Sequence, residues 1–472
     1  MTDQTNRFAT AVIDIGKTNA KLVVWDHDGE HILFEVSQPN RSIDRSPYRH
    51  LDTEGLWQFY LGALTQAVSE IAPITIGKLI PTTHGATVVI LNKDQLVLPV
   101  PDYENTYDAS INEAYDAARD AFTDSQSPCL PAGLNFGRQI YALEQNFPAE
   151  MAQATDFLPY PQYWSWKFSG VKAAEVTSLG CHSDLWRPYE GDWSKLAKVR
   201  GWDRKCPPIR KAQDILGPIS PELAKRTGLP ADCQIYCGIH DSNASLVPLI
   251  TQIDQPFSLV SSGTWTVCFS VGVHSKPVLD ENRDSLCNVD FNGEAVPSAR
   301  FMGGREYAFL AGDCTENPTM GDVERLIRAD CLAIPSFAGA GGPFSRHSGR
   351  ILNESVLKTD RDKAALATLY CALMGDYCLE MTGSGGSIIV EGPLAMNSAF
   401  CELLGAFRFG QQIFASTDSS GTSFGAAMLT SQAVKIGLRG MKRILPERSE
   451  ALIAYRDFWR TKINQLDLYL AR

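Results

Sequence analysis

Two widely separated stretches of the chain show the same pattern of apolar runs, rich in β-branched residues, on either side of a small polar turn. In the first, residues 9–26, the turn is the GKTN segment 16–19. In the second, residues 257–273, it is the SGT segment 262–264. Each pattern predicts a β-hairpin. Because both turns hold glycine and hydroxyl-bearing residues, we interpret the second as a distant repeat of the first, left by duplication of one ancestral lobe.

Apolar residues at helical spacing mark two further segments, 53–71 and 359–381, and the second opens at Thr359, a residue type favoured before the first turn of a helix. A strand is predicted at 387–390, followed by helices that start near Ser398 and at 421–427. The alternation of strands and helices indicates α/β lobes, each with a central mixed sheet.

The length of 472 residues exceeds what one hydrophobic core usually supports and predicts two domains. Pro248 and Pro256 interrupt the pattern, so we expect an N-terminal lobe over residues 1–250 and a C-terminal lobe over 251–472. Residues 128–208 are rich in Trp, Tyr, Pro and Gly without clear periodicity. We interpret this stretch as an elaboration of the first lobe near the substrate.

Charge and cysteine content narrow the class of partner. A formal net charge of -11 argues against non-specific electrostatic binding of nucleic acid. No apolar run approaches the roughly 20 residues that span a bilayer, so a soluble protein without a membrane partner is expected. The 12 cysteines are scattered, and the spacing of Cys233 and Cys237 does not fit a zinc motif. We interpret them as reduced thiols of a cytoplasmic protein.

Two clusters could carry phosphoryl chemistry. Asp14, followed by the glycine turn 16–19, combines a carboxylate with a main chain that can approach a phosphate, although such a turn can equally be a solvated hairpin. Asp241 follows His240 after a short apolar strand and could accept a proton from a hydroxyl group, or simply cap a helix. The GxxxxGK[ST] sequence is absent, which excludes a P-loop NTPase.

Taken in order, short motifs spanning nearly the whole chain resemble those of the FGGY carbohydrate kinases. They are DIGKT at 14–18, GIHD at 238–241, SSGT at 261–264, VEGPLAMN at 390–397 and GTSFG at 421–425. Within that family, the His240-Asp241 pair, SSGTW at 261–265 and TSLGCHSDLW at 177–186 look most similar to the branch of rhamnulokinase and L-fuculokinase.

The resemblance implies an α/β, two-lobed actin-like ATPase (ribonuclease H-like) fold with a cleft between duplicated lobes. The N-terminal lobe would bind the sugar and carry the first phosphate hairpin, and the C-terminal lobe would bind ATP. Residues 392–397 match the adenosine loop of the family, and 421–425 match the turn beside it. Closure of the lobes would exclude water from the reaction.

The resemblance also implies roles for individual residues. Asp241 would be the catalytic base, and Asp14 would hold Mg²⁺ through a water molecule. The ATP contacts implied are Asp14, Gly16, Lys17, Thr18, Asn19, Gly263, Thr264, Gly392, Pro393 and Asn397. The sugar contacts implied are His84, Gly85 and His240, with Asn135, Arg138, Asn288 and Arg305 as further candidates.

This chain departs from the family pattern at two of these positions. Pro393 stands where many relatives have glycine, and a proline removes one backbone donor near the adenosine. Lys17 stands where threonine or alanine is common, and could either contact a phosphate or face solvent.

The function expected is phosphorylation of a primary hydroxyl of a ketose by Mg·ATP. A 6-deoxyketohexose such as L-rhamnulose or L-fuculose is the first candidate, and a pentulose of the ribulose or xylulose type is the alternative. A non-catalytic sugar- or nucleotide-binding regulator would have no need of the carboxylate of Asp241. A chaperone-type ATPase would not need the aromatic insertion in the first lobe. The oligomeric state stays open, a homodimer being one alternative.

Overall fold

The computed structural model describes residues 8–339, 341–416, 421–431 and 440–470, which form two compact units. The first unit draws on Met1–Gln252, Asn288–Ala295 and Ser420–Ile436, and the second on Ile253–Cys287, Val296–Ser419 and Gly437–Arg472. The first unit therefore includes two segments beyond the single boundary that the sequence predicts.

The first half of the chain alternates strands and helices. Its strands are β1 (Phe8–Ile15), β2 (Asn19–Trp25), β3 (Ile32–Pro39), β4 (Ser42–Ile43), β5 (His50–Leu51), β6 (Thr75–Thr83), β7 (Val88–Asn92), β8 (Gln95–Leu96), β9 (Asp156–Pro159), β10 (Trp186–Arg187), β11 (Asp192–Trp193), β12 (Ile215–Pro218), β13 (Gln234–Tyr236) and β14 (Ile239–His240). Its helices are α1 (Thr53–Glu70), α2 (Ala109–Ala118), α3 (Phe122–Ser125), α4 (Phe136–Asn146), α5 (Pro148–Met151), α6 (Tyr160–Ser169), α7 (Val176–Leu179), α8 (Lys195–Arg200), α9 (Pro221–Thr227), α10 (Asp241–Ala244) and α11 (Val247–Gln252).

The second half continues the alternation. Its strands are β15 (Phe257–Ser262), β16 (Thr266–Val271), β17 (Ser285–Val289), β18 (Ala295–Phe301), β19 (Leu332–Ile334), β20 (Arg350–Leu352), β21 (Ser387–Glu391), β22 (Ile413–Ser416) and β23 (Met441–Ile444). Its helices are α12 (Gly303–Ala311), α13 (Met320–Arg328), α14 (Asp360–Met381), α15 (Ser398–Phe407), α16 (Thr422–Met428) and α17 (Glu450–Leu470). Of these helices, α16 lies in a segment that belongs to the first unit.

The main sheet of the first unit has seven strands in the order β12-β13-β6-β1-β2-β3, with β14 also paired to β6. The hairpin β1-β2 is antiparallel, whereas β6 runs parallel to β1 and also parallel to β13 and β14. The central strands β1 and β6 are almost wholly buried, which explains why both consist largely of apolar residues. The core packs α1 and α6 against this sheet through Tyr60, Leu64 and Trp164.

The main sheet of the second unit repeats that order. Its strands follow the order β18-β16-β15-β21-β22-β23, which corresponds to β3-β2-β1-β6-β13-β12 in the first unit. Along both paths, neighbouring strands pair in the same sequence of directions: antiparallel, antiparallel, parallel, parallel and antiparallel. The repeat inferred from the two hairpin turns is thus confirmed by the topology of the two sheets.

Helix α14 begins where the sequence predicts. Thr359 caps it by accepting from the main-chain nitrogen of Asp362, and the carboxylate of Asp362 accepts from the main chain of Thr359 in return. This reciprocal cap satisfies two donors that a helix start would otherwise leave unpaired. Most of its residues are buried, and it forms the centre of the core of the second unit.

The aromatic stretch 128–208 has a regular structure that its sequence did not predict. Its helix α6 packs in the core beside the main sheet, whereas α4, α5, α7, α8 and β9 to β11 contribute to a separate core of the first unit, built around Phe136, Phe157, Leu185 and Trp202. The twelve cysteines are all free thiols. Among the described residues, no group of three or more His, Cys, Asp or Glu side chains could bind a metal ion. No described helix combines the length and apolarity needed to cross a bilayer.

Candidate active site

The polar residues of the first unit's site lie at one edge of its sheet, where parallel strands end. Across β1 and β6, Asp14 pairs with Thr82, and across β6 and β14, His240 pairs with Thr83. His84 and Asp241 follow directly after these two strands. Because carboxyl ends of parallel strands meet at the same edge, the topology itself assembles these side chains.

Asp241 begins the short helix α10 and keeps part of its carboxylate available. Its Oδ1 accepts from the main-chain nitrogen of Ser242 at 2.5 Å and lies 3.3 Å from Nε2 of His240. No group among the described residues donates to Oδ2, and the side chain is 26% exposed. A carboxylate held through one oxygen, with the other accessible, can accept a proton from a bound hydroxyl.

His240 is buried, and both its main-chain nitrogen and its Nδ1 have polar partners. Its main-chain nitrogen donates to Oγ1 of Thr177 at 3.1 Å, and its Nδ1 lies 3.2 Å from Oδ1 of Asn243. The ring also packs edge-on against His182, with centroids 6.1 Å apart. The imidazole is therefore fixed beside Asp241.

His84 lies between two tyrosine rings and is 6% exposed. The centroids of Tyr160 and Tyr103 are 5.1 and 5.3 Å from its own, and its Nδ1 contacts the carbonyl oxygen of Gly85 at 2.9 Å. Burial lowers the pKa of His84, which keeps the ring neutral at physiological pH. Its Nε2 is buried without a partner among the described residues, as a group reserved for a ligand would be.

Asp14 is also affected by its surroundings. Burial, followed by repulsion from Asp241, raises the pKa of its carboxyl group to about 6. Lys21 acts in the opposite direction. A cation placed near Asp14 would relieve this unfavourable environment, so its carboxylate fits the role of holding a metal-bound water.

The first hairpin turn is closed by its own main chain. Gly16 donates to the carbonyl oxygen of Asn19 at 2.9 Å, and the side chain of Asn40 donates to the carbonyl of Gly16 at 2.8 Å. Thr18 and Asn19 are exposed at the tip.

Lys17 does not face open solvent. Its ammonium forms a short ion pair with Asp102, lies 3.2 Å from a carboxylate oxygen of Glu104, and sits 4.4 Å above the centroid of the Tyr103 ring. Burial alone would raise the pKa of Asp102, but hydrogen bonds from Lys17 and Ser42 outweigh it and lower that pKa. The lysine thus joins the hairpin to the loop that packs Tyr103 on His84.

Asn135 and Arg138 lie inside the aromatic core rather than at the sheet edge. Asn135 is fully buried, accepts from the main chain of Leu130 and donates to Asp184 at 3.1 Å. Arg138 donates to Asn112 and Asp116, each at 2.9 Å. These contacts occupy the amide of Asn135 and the two Nη atoms of Arg138. Their predicted contact with the sugar stays a prediction.

The other two residues predicted to contact the sugar, Asn288 and Arg305, lie in the second half of the chain. Asn288 is half-buried in β17, one residue before Val289, whose carbonyl accepts from Asn243. Arg305 is exposed on α12 in the second unit.

In the second unit, the turn after β15 is open and approached by a helix. Gly263 and Thr264 are exposed, and the nearest atom to a methyl group placed on Gly263 would be the carbonyl oxygen of Trp265, at 3.7 Å. Gly304, in the first turn of α12, donates to the carbonyl of Thr264 at 3.3 Å. A glycine turn beside a helix N-terminus offers main-chain donors to an anion.

The expected adenosine loop is attached to the same turn. Gly392 has a φ of 79° and lies so close to Ser262 that a methyl group on it would be 2.0 Å from the Ser262 carbonyl oxygen. The Ser262 hydroxyl donates to the carbonyl of Glu391 and accepts from the main chain of Leu394 at 3.0 Å. Pro393 begins the short 3-10 turn Pro393–Met396.

Asn397 serves as a helix cap. Its Oδ1 accepts from the main chain of Phe400 at the start of α15, and its Nδ2 donates to Thr368 at 2.9 Å. The side chain is 2% exposed. These bonds position the loop but use most of the hydrogen-bonding capacity that a nucleotide contact would need.

Residues 421–425, which the resemblance places beside the adenosine loop, belong to the first unit. Helix α16 packs on α10, where Gly425 approaches Ala244 so closely that a methyl group would lie 1.8 Å from the Ala244 carbonyl oxygen. Helix α16 therefore packs against the C-terminal end of α10, the short helix that begins with Asp241.

Sequence reasoning missed Tyr103, Thr177, Glu175 and Asn243, which hold the two site histidines. Glu175 is fully buried and accepts from the hydroxyl and the main chain of Thr177. Two signals were available: Asn243 lies two residues after Asp241, and Thr177 opens the segment 177–186 that resembles the family. Tyr103 and Glu175 are distant in the sequence and carry no motif of their own.

Comparison with known proteins assigns the family. The FGGY family of carbohydrate kinases, N-terminal domain, matches residues 9–248, and the Carbohydrate kinase FGGY, C-terminal domain, matches residues 254–437. A carbohydrate kinase of known structure from Novosphingobium aromaticivorans is 35% identical, with a TM-score of 0.88 over 98% of this chain and 99% of that one. The chain therefore belongs to the FGGY family of carbohydrate kinases, which are ATP-dependent sugar phosphotransferases.

Curated relatives are more distant. The rhamnulokinase of Oceanobacillus iheyensis is 24% identical over 294 residues, which cover 59% of this chain and 58% of that protein. The L-fuculokinase of Salmonella typhi is 22% identical over 289 residues, covering 59% and 60%. The aligned part of the chain thus spans less than two thirds of either protein.

The fold has wider matches. The structure of a ligand-bound xylulose kinase from Lactobacillus acidophilus aligns with a TM-score of 0.76 at 14% identity, over 98% of each chain. Together with the repeated sheet topology, this confirms the two-lobed, actin-like α/β class predicted from sequence.

Proposed function

We propose that this protein transfers the γ-phosphoryl group of ATP to a primary hydroxyl of a ketose, with Asp241 as the base. One observation carries the proposal. The sheet edge of the first unit brings a partly accessible Asp241 carboxylate together with two fixed, buried histidines and Asp14. The imidazole rings of His84 and His240 can form hydrogen bonds with hydroxyl groups, so this arrangement around the carboxylate of Asp241 suits a polyhydroxy substrate.

Phosphoryl transfer depends mainly on correct positioning of the sugar hydroxyl and the γ-phosphate, and needs little covalent chemistry from the protein. Asp241 would accept the hydroxyl proton through Oδ2 as the new bond to phosphorus forms. Nε2 of His84, buried and without a partner among the described residues, would bind a hydroxyl that helps to orient the sugar. Holding the acceptor in this way converts an encounter in solution into a step within one complex.

In the second unit, we assign ATP binding to the turn at Gly263 and Thr264 and to the loop that begins at Gly392. The Ser262 hydroxyl bridges the two, so a nucleotide that contacts either would find the other already placed. In the first unit, Gly16, Thr18 and Asn19 are the proposed phosphate contacts. Lys17 is assigned to positioning, because its ammonium is occupied by Asp102.

Mg²⁺ accompanies ATP in this proposal. Asp14 would hold it through water, and its raised pKa is the feature that fits this role. Bound there, the ion would supply positive charge to the transferring phosphoryl group.

For the sugar, we propose a 6-deoxyketohexose such as L-rhamnulose or L-fuculose. The names of the rhamnulokinase and L-fuculokinase relatives support it, although their identities of 24% and 22% leave a pentulose as the second candidate. A pocket discriminates by individual contacts worth about 1–3 kcal/mol each, which short motifs do not encode.

The test is a coupled ADP-release assay over a panel of ketoses, aldoses and polyols with the purified full chain. We expect one 6-deoxyketohexose to exceed every pentulose in kcat/KM, with one ADP formed per sugar phosphate. A higher kcat/KM for a pentulose would replace the sugar assignment. ATP binding without turnover on any member of the panel would favour the regulator.

A further inference from the structure

The side-chain amide of Asn243 has one orientation that satisfies its surroundings. Its Nδ2 donates to the carbonyl oxygen of Val289, which can only accept. Its Oδ1 is therefore the atom that lies 3.2 Å from Nδ1 of His240. Because Oδ1 also can only accept, Nδ1 of His240 must carry a hydrogen.

This fixes the tautomer of the neutral His240 ring. With the hydrogen on Nδ1, Nε2 presents a lone pair, and that atom lies 3.3 Å from Oδ1 of Asp241. An unprotonated imidazole nitrogen and a carboxylate oxygen are both acceptors. They form a hydrogen bond only when a proton lies between them.

The ring is held in this position from other directions. The main-chain nitrogen of His240 donates to Thr177, whose hydroxyl donates in turn to the buried carboxyl group of Glu175. Across the ring, Gly85 is so close that a methyl group on it would lie 2.6 Å from Nε2. His240 is thus prepared to accept a proton from the direction of Asp241.

We infer that His240 is the second proton acceptor of the reaction, acting through Asp241. This inference rests on the proposed kinase function. The hydroxyl O–H bond of the sugar breaks as its oxygen bonds to the γ-phosphorus and the bond from that phosphorus to the ADP oxygen breaks. The proton passes to Oδ2 of Asp241, and rotation of the protonated carboxyl group then presents it to Nε2, which leaves an imidazolium beside a regenerated carboxylate. It reaches water after the products leave.

Other titratable and charged groups face this pair. They are His84 across Gly85, His182 against the ring, Asp14 beside Asp241, Glu175 behind Thr177, and Lys17 near His84. Since several of these could shift a pH profile, the test relies on chemical rescue instead.

The first variant is His240→Gly, with the exposed His31→Gly as its matched control. We expect His240→Gly to lower kcat about 10- to 100-fold, the usual effect of removing a partner of a reacting group. Free imidazole should restore kcat in proportion to its concentration. The parent enzyme and His31→Gly should not respond.

The second variant, Asn243→Ala, keeps the ring but frees it to adopt the other tautomer, with its hydrogen on Nε2. It should lower kcat without changing the affinity for sugar more than about threefold, and imidazole should not restore it, because the ring still fills the site. Affinity is measured by calorimetry, which also reports whether each variant is folded.

Three outcomes would overturn the inference: a kcat for His240→Gly within about threefold of the parent, no response to imidazole in a variant that still binds sugar, or a kcat for Asn243→Ala equal to that of the parent. The parent enzyme is assayed first on the sugar panel. Absence of turnover there would count against the kinase proposal itself and is distinguishable from all three.

Discussion

Gly85 lies against the ring of His240, which is 155 positions later in the sequence: a methyl group on Gly85 would be 2.6 Å from Nε2 of the imidazole. The absence of a side chain at position 85 is therefore what allows the ring to stay beside Asp241. The glycine at position 85 thus leaves space for the ring that we propose as a proton acceptor.

Gly85→Ala should displace the His240 ring and lower kcat about tenfold or more, with an overpacking cost of about 1–3 kcal/mol in the free energy of unfolding. Gly62→Ala is the matched control, because nothing lies within 4 Å of a methyl group there. That helical site should gain up to about 1 kcal/mol. Chemical denaturation and steady-state kinetics measure both effects, and unchanged kcat in Gly85→Ala would show that His240 tolerates displacement.

Asp241→Asn should lower kcat by about 10²–10⁴-fold, because an amide cannot accept the hydroxyl proton, while the sugar still binds. Asp232→Asn, an exposed site, is the control and should behave as the parent. The measurement is kcat alongside sugar affinity by calorimetry. Turnover within about threefold of the parent would remove Asp241 from the role of base.

Gly263 offers a direct test of nucleotide binding. Since a methyl group there would approach nothing closer than 3.7 Å, Gly263→Ala should fold normally, yet it should weaken ATP binding by blocking approach to the main chain. Gly321→Ala in α13 has equally open surroundings and serves as the control. If calorimetry gives equal ATP affinities for the two variants, Gly263 is only a turn residue.

Lys17→Met should affect the sugar more than the nucleotide. The ammonium is bound by Asp102 and lies over Tyr103, which packs on His84, so its loss should loosen the sugar side of the site. We expect KM for the sugar to rise by a larger factor than KM for ATP. Lys198→Met, whose ammonium is 2.5 Å from Asp192 on the surface of the same unit, is the control. A larger rise in KM for ATP would indicate a phosphate contact instead.

Glu175 should make stability depend on pH. Burial raises its pKa to about 7, so between its ordinary value of 4.5 and about 7 the folded protein binds a proton that the unfolded chain releases. The free energy of unfolding that this group contributes therefore falls as the pH rises through that window, by about 3 kcal/mol. Glu175→Gln should become more stable relative to the parent between pH 5 and pH 8. Parallel urea titrations at both values measure it, and a constant difference would contradict the raised pKa.

Much of the fold follows from local patterns. The hairpins at 9–26 and 257–273, helix α1 and the capped helix α14 lie within a few residues of their predicted positions, because alternation and 3.6-residue periodicity directly reflect which faces are buried. The aromatic stretch 128–208 was not resolved into elements. Its short helices are stabilised by packing in a shared core more than by their own periodicity.

For the site, motifs identified Asp14, His84, His240 and Asp241, which the sheet does bring to one edge. Motifs could not show that Arg138 is occupied by neighbours in the aromatic core. Nor could they show that Lys17 pairs with Asp102, because a lysine in a glycine turn looks the same whether its partner is a phosphate or a carboxylate 85 positions away.

Two segments from the second half of the chain, Asn288–Ala295 and Ser420–Ile436, belong to the first unit, and this limits where the chain can be divided to build a chimera. The carbonyl of Val289 orients Asn243, and helix α16 packs on the turn that follows Asp241. A chimera joined near residue 250 would supply both supports from the foreign parent. Exchanging the C-terminal half would therefore also disturb the surroundings of Asp241, the proposed base, unless residues 288–295 and 420–436 were transplanted with the N-terminal half.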